Sequence, residues 1–111
     1  MNIKVTDDGS VALVRPEGKL DSSNAPEFEA AIVQVIDGKM TSLIIDLSKV
    51  TFMASAGLRV LLGTAKSLSR DDRALRVFGL NSLVRETFEI SGFISIIDVR
   101  DSEAEARDGL D

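Results

Sequence analysis

Apolar residues first alternate along this chain and then recur at helical spacing, and this change of period restricts the fold more than any other feature. Before residue 20 they occupy every second position on either side of the turn sequence DDGS: Ile3, Val5, Val11 and Leu13. Alternation on both sides of a short turn that contains Asp-Gly is typical of a β-hairpin. We therefore expect two opening strands, the second ended by Pro16 and Gly18.

The period changes in the next segment, DSSNAPEFEAAIVQVIDGK. Its apolar residues follow the i, i+3, i+4, i+7, i+8 spacing of one helix face: Phe28, Ala31, Ile32, Val35 and Ile36. Such spacing predicts an amphipathic helix. Asn24 and Glu27 resemble a capping box, Pro26 suits the first turn, and Gly38 suits the end of the helix.

Strands and helices alternate along the rest of the chain. Strands are predicted over SLIIDL, RALRVFGL and FISIIDV. A second helix has the stripe Leu58, Leu61, Leu62, Ala65 and Leu68. A third covers NSLVRETFEISG, with Asn81 as its cap and Gly92 as its end, and a short fourth covers SEAEARDGL, with Ser102 and Glu105 as a capping box. Alternation of this kind predicts one α/β domain over residues 1–111, in which a mixed sheet of four to five strands packs against about four helices.

The composition excludes several kinds of chemistry. Histidine and cysteine are absent, so the chain cannot form a Ser-His-Asp triad, a Cys-His pair or a zinc site built on these residues. A carboxylate-based metal or acid–base site stays open, although most acidic residues fall in turns or on polar helix faces. With no glycine-rich phosphate loop either, we expect no enzyme, no resident metal and no cofactor.

The charge and hydropathy patterns argue against two kinds of partner, nucleic acids and membranes. Thirteen basic and 18 acidic residues leave a net charge of −5, and Trp and Tyr are absent, so little is available to neutralise phosphates or stack on bases. No apolar run approaches the roughly 20 residues that span a bilayer, and MNIKVTDDGS does not read as a signal segment. We expect no nucleic-acid binding, no membrane insertion and a cytoplasmic location.

A single hydroxyl marks the start of the second helix, within VTFMASAGLRVLLGTAK. Ser55 at this place is either an N-cap that accepts a backbone N–H or a side chain presented to another protein. Away from the apolar stripe, the helix carries a small and nearly neutral strip: Ala56, Val60, Gly63 and Ser67. This strip either admits a docked partner or consists of small residues that the surface tolerates.

Three segments together resemble the STAS domain, and most closely its small anti-sigma factor antagonists: GKLDSSNAPEFEAAI, LIIDLSKVTFMASAGLRVLLGTAKSL and LVRETFEISGFISIID. The most specific part is the pattern formed by Asp46, Leu47, Val50, Phe52, Met53, Ser55, Gly57 and Leu58. The resemblance extends from about Ile3 to Val99 and implies a single STAS domain.

The resemblance implies a partner switch. The unmodified antagonist binds a serine kinase that acts as an anti-sigma factor, phosphorylation at the start of the second helix ends the binding, and a PP2C-type phosphatase reverses the modification. Ser55 occupies the phosphoacceptor position, although Ala54 replaces the aspartate that usually precedes it. The expected contact residues are Asp21, Ser22, Ser55, Ala56, Gly57, Arg59, Val60 and Gly63, of which Arg59, one turn on, could also pair with the phosphate.

Some roles stay open on the sequence. Asp21 either contacts the partner, as its loop does in the family, or only bonds to local backbone, and Asp46 is expected to cap the turn after its strand. Small STAS proteins also act, without phosphorylation, as subunits or adaptors of membrane lipid-transport ATPases, which is the alternative function. The sequence does not identify the effector that is controlled downstream.

Overall fold

Two antiparallel strands open the chain, β1 (Asn2–Asp7) and β2 (Val11–Leu20), with Ile3 opposite Pro16. The computed structural model describes residues 1–7, 10–37 and 41–110. The predicted hairpin is confirmed, whereas the middle of its DDGS turn, at positions 8 and 9, lies outside the described residues.

The expectation that Pro16 and Gly18 end β2 is wrong. β2 pairs in parallel with β3 (Ser42–Asp46) at Val11–Val14 and then with β4 (Val50–Met53) from Gly18 onward, with a register shift after Gly18. Pro16 lies between these two ladders, where a residue without an N–H disturbs the sheet least. Gly18 has a φ of 91°, and its N–H donates to the Lys49 carbonyl at 2.9 Å. The strand therefore bends at these residues and continues.

The remaining elements follow the predicted alternation. They are α1 (Ala25–Ile36), β3, β4, α2 (Ser55–Ser69), β5 (Leu75–Phe78), α3 (Ser82–Ser91), a 3-10 turn (Phe93–Ser95), β6 (Asp98–Arg100) and α4 (Glu103–Arg107). The sheet order is β1-β2-β3-β5-β6, with β4 beside the second half of β2, and every described pairing except β1 with β2 is parallel. The α/β class and the mixed sheet are confirmed, and β4 is a strand that the sequence pattern did not predict.

The helix ends agree with the sequence in two cases and differ in one. The Asn81 side chain accepts the Val84 N–H at 2.8 Å, and Gly92 ends α3 with a φ of 81°. Ser102 accepts the Glu105 N–H at 3.2 Å at the start of α4. Asn24, however, makes no side-chain cap to α1, so the predicted capping box is wrong. Gly38, the predicted end of α1, lies outside the described residues.

The last strand is shorter than the apolar run FISIIDV suggested. Gly92 turns the chain through a left-handed conformation, and the 3-10 turn packs Phe93 and Ile94 against the core. Only Asp98–Arg100 then pairs with β5. FISIIDV is apolar because its first residues form a turn that covers the core. Ile96, which follows this turn, is 59% exposed.

The two faces of the sheet are covered unequally. The face that meets α1, α2 and α3 holds the larger core, which includes Phe28, Ile45, Leu61 and Phe88. On the other face α4 and Leu110 cover a smaller cluster, formed by Val11, Leu13, Ile44, Phe78 and Ala106. No helix in the described ranges is long and apolar enough to span a bilayer.

Asp46 has the structural role that the sequence indicated. Its Oδ1 accepts the Ser48 N–H at 2.9 Å, which caps the turn after β3. Its Oδ2 lies 3.1 Å from Arg15 Nε, on the side of the sheet that α4 covers.

Candidate functional site

The carboxyl ends of β2 and β4 bring together the two segments that the sequence singled out. Leu20 pairs with Met53 in the parallel ladder, and the Ala54 N–H donates to the Leu20 carbonyl at 2.8 Å. The loop that begins at Asp21 therefore lies beside the first residue of α2. Open α/β sheets commonly carry their functional sites at such strand ends.

Ser55 is the first residue of α2 and is exposed. Of the two roles that the sequence left open for Ser55, the N-cap role does not apply, because Ala54 holds the N-cap position and accepts the N–H groups of Gly57 and Leu58 through its carbonyl. The Ser55 hydroxyl is instead free to face outward, and it accepts a hydrogen bond from Arg59 Nη2 at 3.4 Å.

The start of α2 can accommodate an anion. In the described part of the chain, no group accepts from the backbone N–H of Ser55 or Ala56. Free amides and the positive end of the helix dipole favour negative charge at this place. Arg59, one turn further on, adds a full positive charge within reach of the Ser55 side chain.

The loop after β2 is held by hydrogen bonds within itself. The Asp21 carboxylate accepts from the Ser23 hydroxyl at 2.5 Å and from the Ser23 N–H at 3.0 Å. These bonds, the hydroxyl's first, hold the pKa of Asp21 below its usual value, so the carboxylate is ionised at neutral pH. Ser22 is exposed at the tip of the loop. Asp21 has the local role of a turn residue, and partner contact by Asp21 and Ser22 stays a prediction.

Asn24 contributes to this site in a way that the sequence did not indicate. Its Oδ1 accepts the Asp21 N–H at 2.9 Å, and its Nδ2 donates to the Lys19 carbonyl at 2.7 Å. The side chain thus joins the end of β2 to the loop instead of capping α1. Asn24 and Glu27 have the spacing of a capping box, so the sequence alone predicts a cap. The bonds that Asn24 forms instead depend on the position of Lys19, which pairs with β4.

We expect Asn24→Ala to lower the free energy of unfolding by about 1–2 kcal/mol, because two hydrogen bonds at a partly buried position are lost. Asn24→Asp, which keeps an acceptor for the Asp21 N–H but turns a carboxylate oxygen toward the Lys19 carbonyl, should lose at least as much. Urea unfolding of both variants measures the difference. Equal stability of Asn24→Ala and the wild type would show that these bonds do not hold the loop.

The outward strip of α2 differs from the prediction at one position. Val60 is buried, with 7% exposure, so the expectation that it lies on this strip is wrong. Gly57, which the sequence placed among the expected contact residues, is buried as well. A Cβ at Gly57 would come within 2.5 Å of Leu20 Cδ2, so close packing with β2 explains this glycine. Ala56 is partly buried, while Gly63 and Ser67 are exposed as expected.

The site has a hydroxyl, an arginine and loop groups, but no catalytic constellation among its described residues. No cluster of three or more potential metal-ligating side chains is found within the described ranges. Phe52, on β4 opposite Lys19, adds a 38% exposed apolar side chain close to the site, and sequence reasoning included it only as part of a family pattern.

A family model for the STAS domain matches residues 2–106. The chain belongs to the STAS-domain family. Among curated relatives, a putative anti-sigma factor antagonist, BtrV, of Bordetella bronchiseptica is 39% identical over 90 residues, which are 81% of this chain and 78% of that protein. An anti-sigma-B factor antagonist of Staphylococcus aureus is 28% identical over 101 residues, which are 91% of this chain and 94% of that protein.

Solved structures of proteins with the same description share the fold. The crystal structure of an anti-sigma factor antagonist from Mycobacterium paratuberculosis superposes with a TM-score of 0.87 at 27% identity, covering 98% of this chain and 92% of that one. The Bacillus protein SpoIIAA in its phosphorylated form superposes with a TM-score of 0.75 at 22% identity, covering 99% of this chain and 100% of that one. The recognised family and the predicted STAS fold are thus confirmed.

Proposed function

We propose that this protein is an anti-sigma factor antagonist that works by partner switching. Its unphosphorylated form binds a serine kinase that also acts as an anti-sigma factor, and phosphorylation of Ser55 ends this binding. The observation that carries the proposal is the exposed Ser55 hydroxyl on the first residue of α2, beside free backbone amides and the Asp21 loop. The names of its homologues support the same role.

In this proposal the chain is a substrate and a binding protein, and not an enzyme. The partner kinase removes the Ser55 proton and transfers the γ-phosphoryl group of ATP to Oγ, so ADP leaves. A PP2C-type phosphatase restores the hydroxyl by hydrolysis and releases inorganic phosphate. In this proposal the protein works in the cytoplasm together with both partners.

The contact surface in this proposal consists of exposed and partly exposed groups around Ser55. They are Asp21, Ser22, Phe52, Ser55, Ala56, Arg59 and Gly63. Gly57 and Val60, which the sequence also predicted as contact residues, are buried beneath this surface and pack against the core. The surface is small and has one ionised carboxylate and one arginine, so a partner of complementary shape can approach the helix start closely.

Phosphorylation should leave the domain folded. A phosphate adds about −1.5 to −2 charges where the helix dipole and the Ser55 and Ala56 amides favour an anion. SpoIIAA in its phosphorylated form has the same fold. The effect of the phosphate is therefore expected on the partner's side of the interface.

Intact-mass measurement after incubation with the cognate kinase and ATP tests the proposal. We expect the mass of one phosphate to be added to the wild type and to the control Ser67→Ala, an exposed serine further along α2, and no addition to Ser55→Ala. Ala54→Asp, which restores the family's usual residue before the serine, is the positive control.

Two results would contradict the proposal in different ways. Binding to the kinase without any mass gain would identify an antagonist that is not phosphorylated. Absence of kinase binding, together with copurification with a membrane lipid-transport ATPase that Ser55→Ala does not change, would favour the subunit role.

A further inference from the structure

The outward side of α2 is cationic in a protein that is acidic as a whole. The helix contains no aspartate or glutamate, and Arg59, Lys66 and the adjoining Arg70 are exposed. The complete chain has a net charge of −5. The positive charge on this helix is therefore a local feature and does not reflect the composition.

The arginines of this helix also differ from the others in their partners. Of the eight arginines in the sequence, six form an ion pair with a carboxylate: Arg15, Arg73, Arg76, Arg85, Arg100 and Arg107. Within residues 1–7, 10–37 and 41–110, Arg59 and Arg70 have none. An unpaired arginine on an acidic protein is available to a carboxylate from another molecule.

Arg70 and Lys66 border a groove between α2 and the residue that follows the 3-10 turn. The groove has a volume of about 390 Å³ and is lined by Leu62, Ala65, Lys66, Ser69, Arg70 and Ile96. Its floor is apolar, since Ile96 is 59% exposed and faces the groove beside Leu62 and Ala65. No acidic side chain lines it, and nearby Asp71 is paired with Arg73 at 3.1 Å.

We propose that this groove is a second docking site, which binds an acidic segment of a protein partner that also carries an apolar side chain. The apolar side chain covers Leu62 and Ile96, and the carboxylates pair with Lys66 and Arg70. Two cations and an apolar floor suit a short peptide better than a nucleic acid or a lipid surface. Those polyanions need more cations than two and are repelled by the net negative charge of the chain.

The proposed groove lies apart from the site of phosphorylation. At 1.5 Å per residue, Lys66 is about 16 Å along α2 from Ser55, which is about two Debye lengths at physiological ionic strength. A phosphate on Ser55 therefore has little effect on the potential at Lys66 and Arg70. Binding in the groove is independent of the state of Ser55, and a partner can stay attached there after phosphorylation.

Titration of the ¹⁵N-labelled chain with a synthetic peptide tests the groove without the kinase. The probe is a 12-residue peptide of glutamate and leucine at helical spacing, and its control has glutamine in place of glutamate. We expect amide shift changes that cluster at the six lining residues, and affinity that falls as salt is raised. The changes should be the same for protein phosphorylated on Ser55, and the glutamine peptide should bind at least tenfold more weakly.

Matched variants separate the groove from the general charge of the protein. Lys66→Glu with Arg70→Glu should weaken peptide binding at least tenfold, whereas Lys4→Glu with Lys49→Glu, which changes the net charge equally on exposed lysines elsewhere, should leave it within twofold. Ile96→Ser should weaken binding about fivefold with all charges kept. Spectra that are unchanged away from the substituted residues confirm that each variant is folded.

Several outcomes would overturn the inference: no binding at millimolar peptide, shift changes centred on Ser55, or equal losses in the two double variants. Tighter binding of a single-stranded oligonucleotide or of phosphatidylserine vesicles would assign the groove to another class of partner. The kinase takes no part in this test, so its failure would leave the proposed phosphorylation switch unaffected.

Discussion

Replacing Gly57 with valine is expected to lower the free energy of unfolding by about 2–3 kcal/mol, the range of strong overpacking in a protein core. A Cβ at this position would lie 2.5 Å from Leu20 Cδ2 and 3.0 Å from Met53 Cγ. Leu20 and Met53 are both at most 1% exposed, so neither can move away without disturbing other core contacts. Valine adds two further methyl groups to this clash.

Gly63 on the same helix is the matched control. A Cβ at Gly63 meets nothing within 4 Å, and the residue is exposed. Gly63→Val should change the unfolding free energy by no more than about 0.5 kcal/mol, because the gain of helix propensity over glycine is small for a β-branched residue. Urea unfolding measures both variants. Equal effects at the two positions would contradict close packing of Gly57 against β2.

The parts of the fold that could be predicted are those that local interactions determine. The stripe of α1 repeats at helical spacing, and Asn81 and Gly92 satisfy backbone groups at the two ends of α3 with short-range contacts. Each of these signals lies within a few residues of its effect, so a single sequence is sufficient to find them.

The parts that could not be predicted depend on pairing between distant segments. β4 is only four residues long, and its central residues Thr51 and Phe52 are both exposed, so it has no alternating pattern. It is a strand because the second half of β2 lies beside it. The continuation of β2 beyond Pro16 has the same cause, since the change of partner from β3 to β4 cannot be found in the residues of β2 alone.

The same limit applies to the candidate site. The position of Ser55 at the start of α2 followed from the sequence, but which neighbours are buried did not. Gly57 and Val60 lie on the side of α2 that faces the core, and a Cβ at Gly57 would meet Leu20 of β2 and Met53 of β4. The capping box predicted for Asn24 was wrong because its actual partners are the Lys19 carbonyl and the Asp21 N–H. Both groups lie at the end of β2, and the local sequence pattern does not give their positions.

Phosphorylation of Ser55 is expected to weaken binding to the partner kinase at least 100-fold, equivalent to about 2.7 kcal/mol. The proposed interface is formed around an uncharged hydroxyl, and a phosphate there must either lose its hydration against the kinase surface or keep the two surfaces apart. Arg59 already reaches the Ser55 hydroxyl, so it can pair with part of the new charge, but it is then unavailable to the kinase.

Three substitutions separate the effect of charge from the effect of bulk, because asparagine and aspartate have nearly the same size and alanine is smaller than both. We expect Ser55→Ala to bind the kinase as tightly as the wild type, Ser55→Asn to bind within about threefold, and Ser55→Asp to bind at least tenfold more weakly. Isothermal titration with the unmodified kinase measures all three. Ser55→Asp should be at least as stable as the wild type, because a carboxylate at a helix start contributes about 0.3–1 kcal/mol.

The comparison of asparagine with aspartate decides how the switch works. A loss confined to aspartate and to the phosphorylated form means that the charge at the start of α2 ends the binding. Equal losses for asparagine and aspartate would mean that the kinase surface fits so closely that any larger side chain excludes it. Tight binding by the phosphorylated form would contradict the switch itself, because the switch requires phosphorylation to end the binding. The free amides of Ser55 and Ala56 would then stabilise a phosphate that the kinase tolerates.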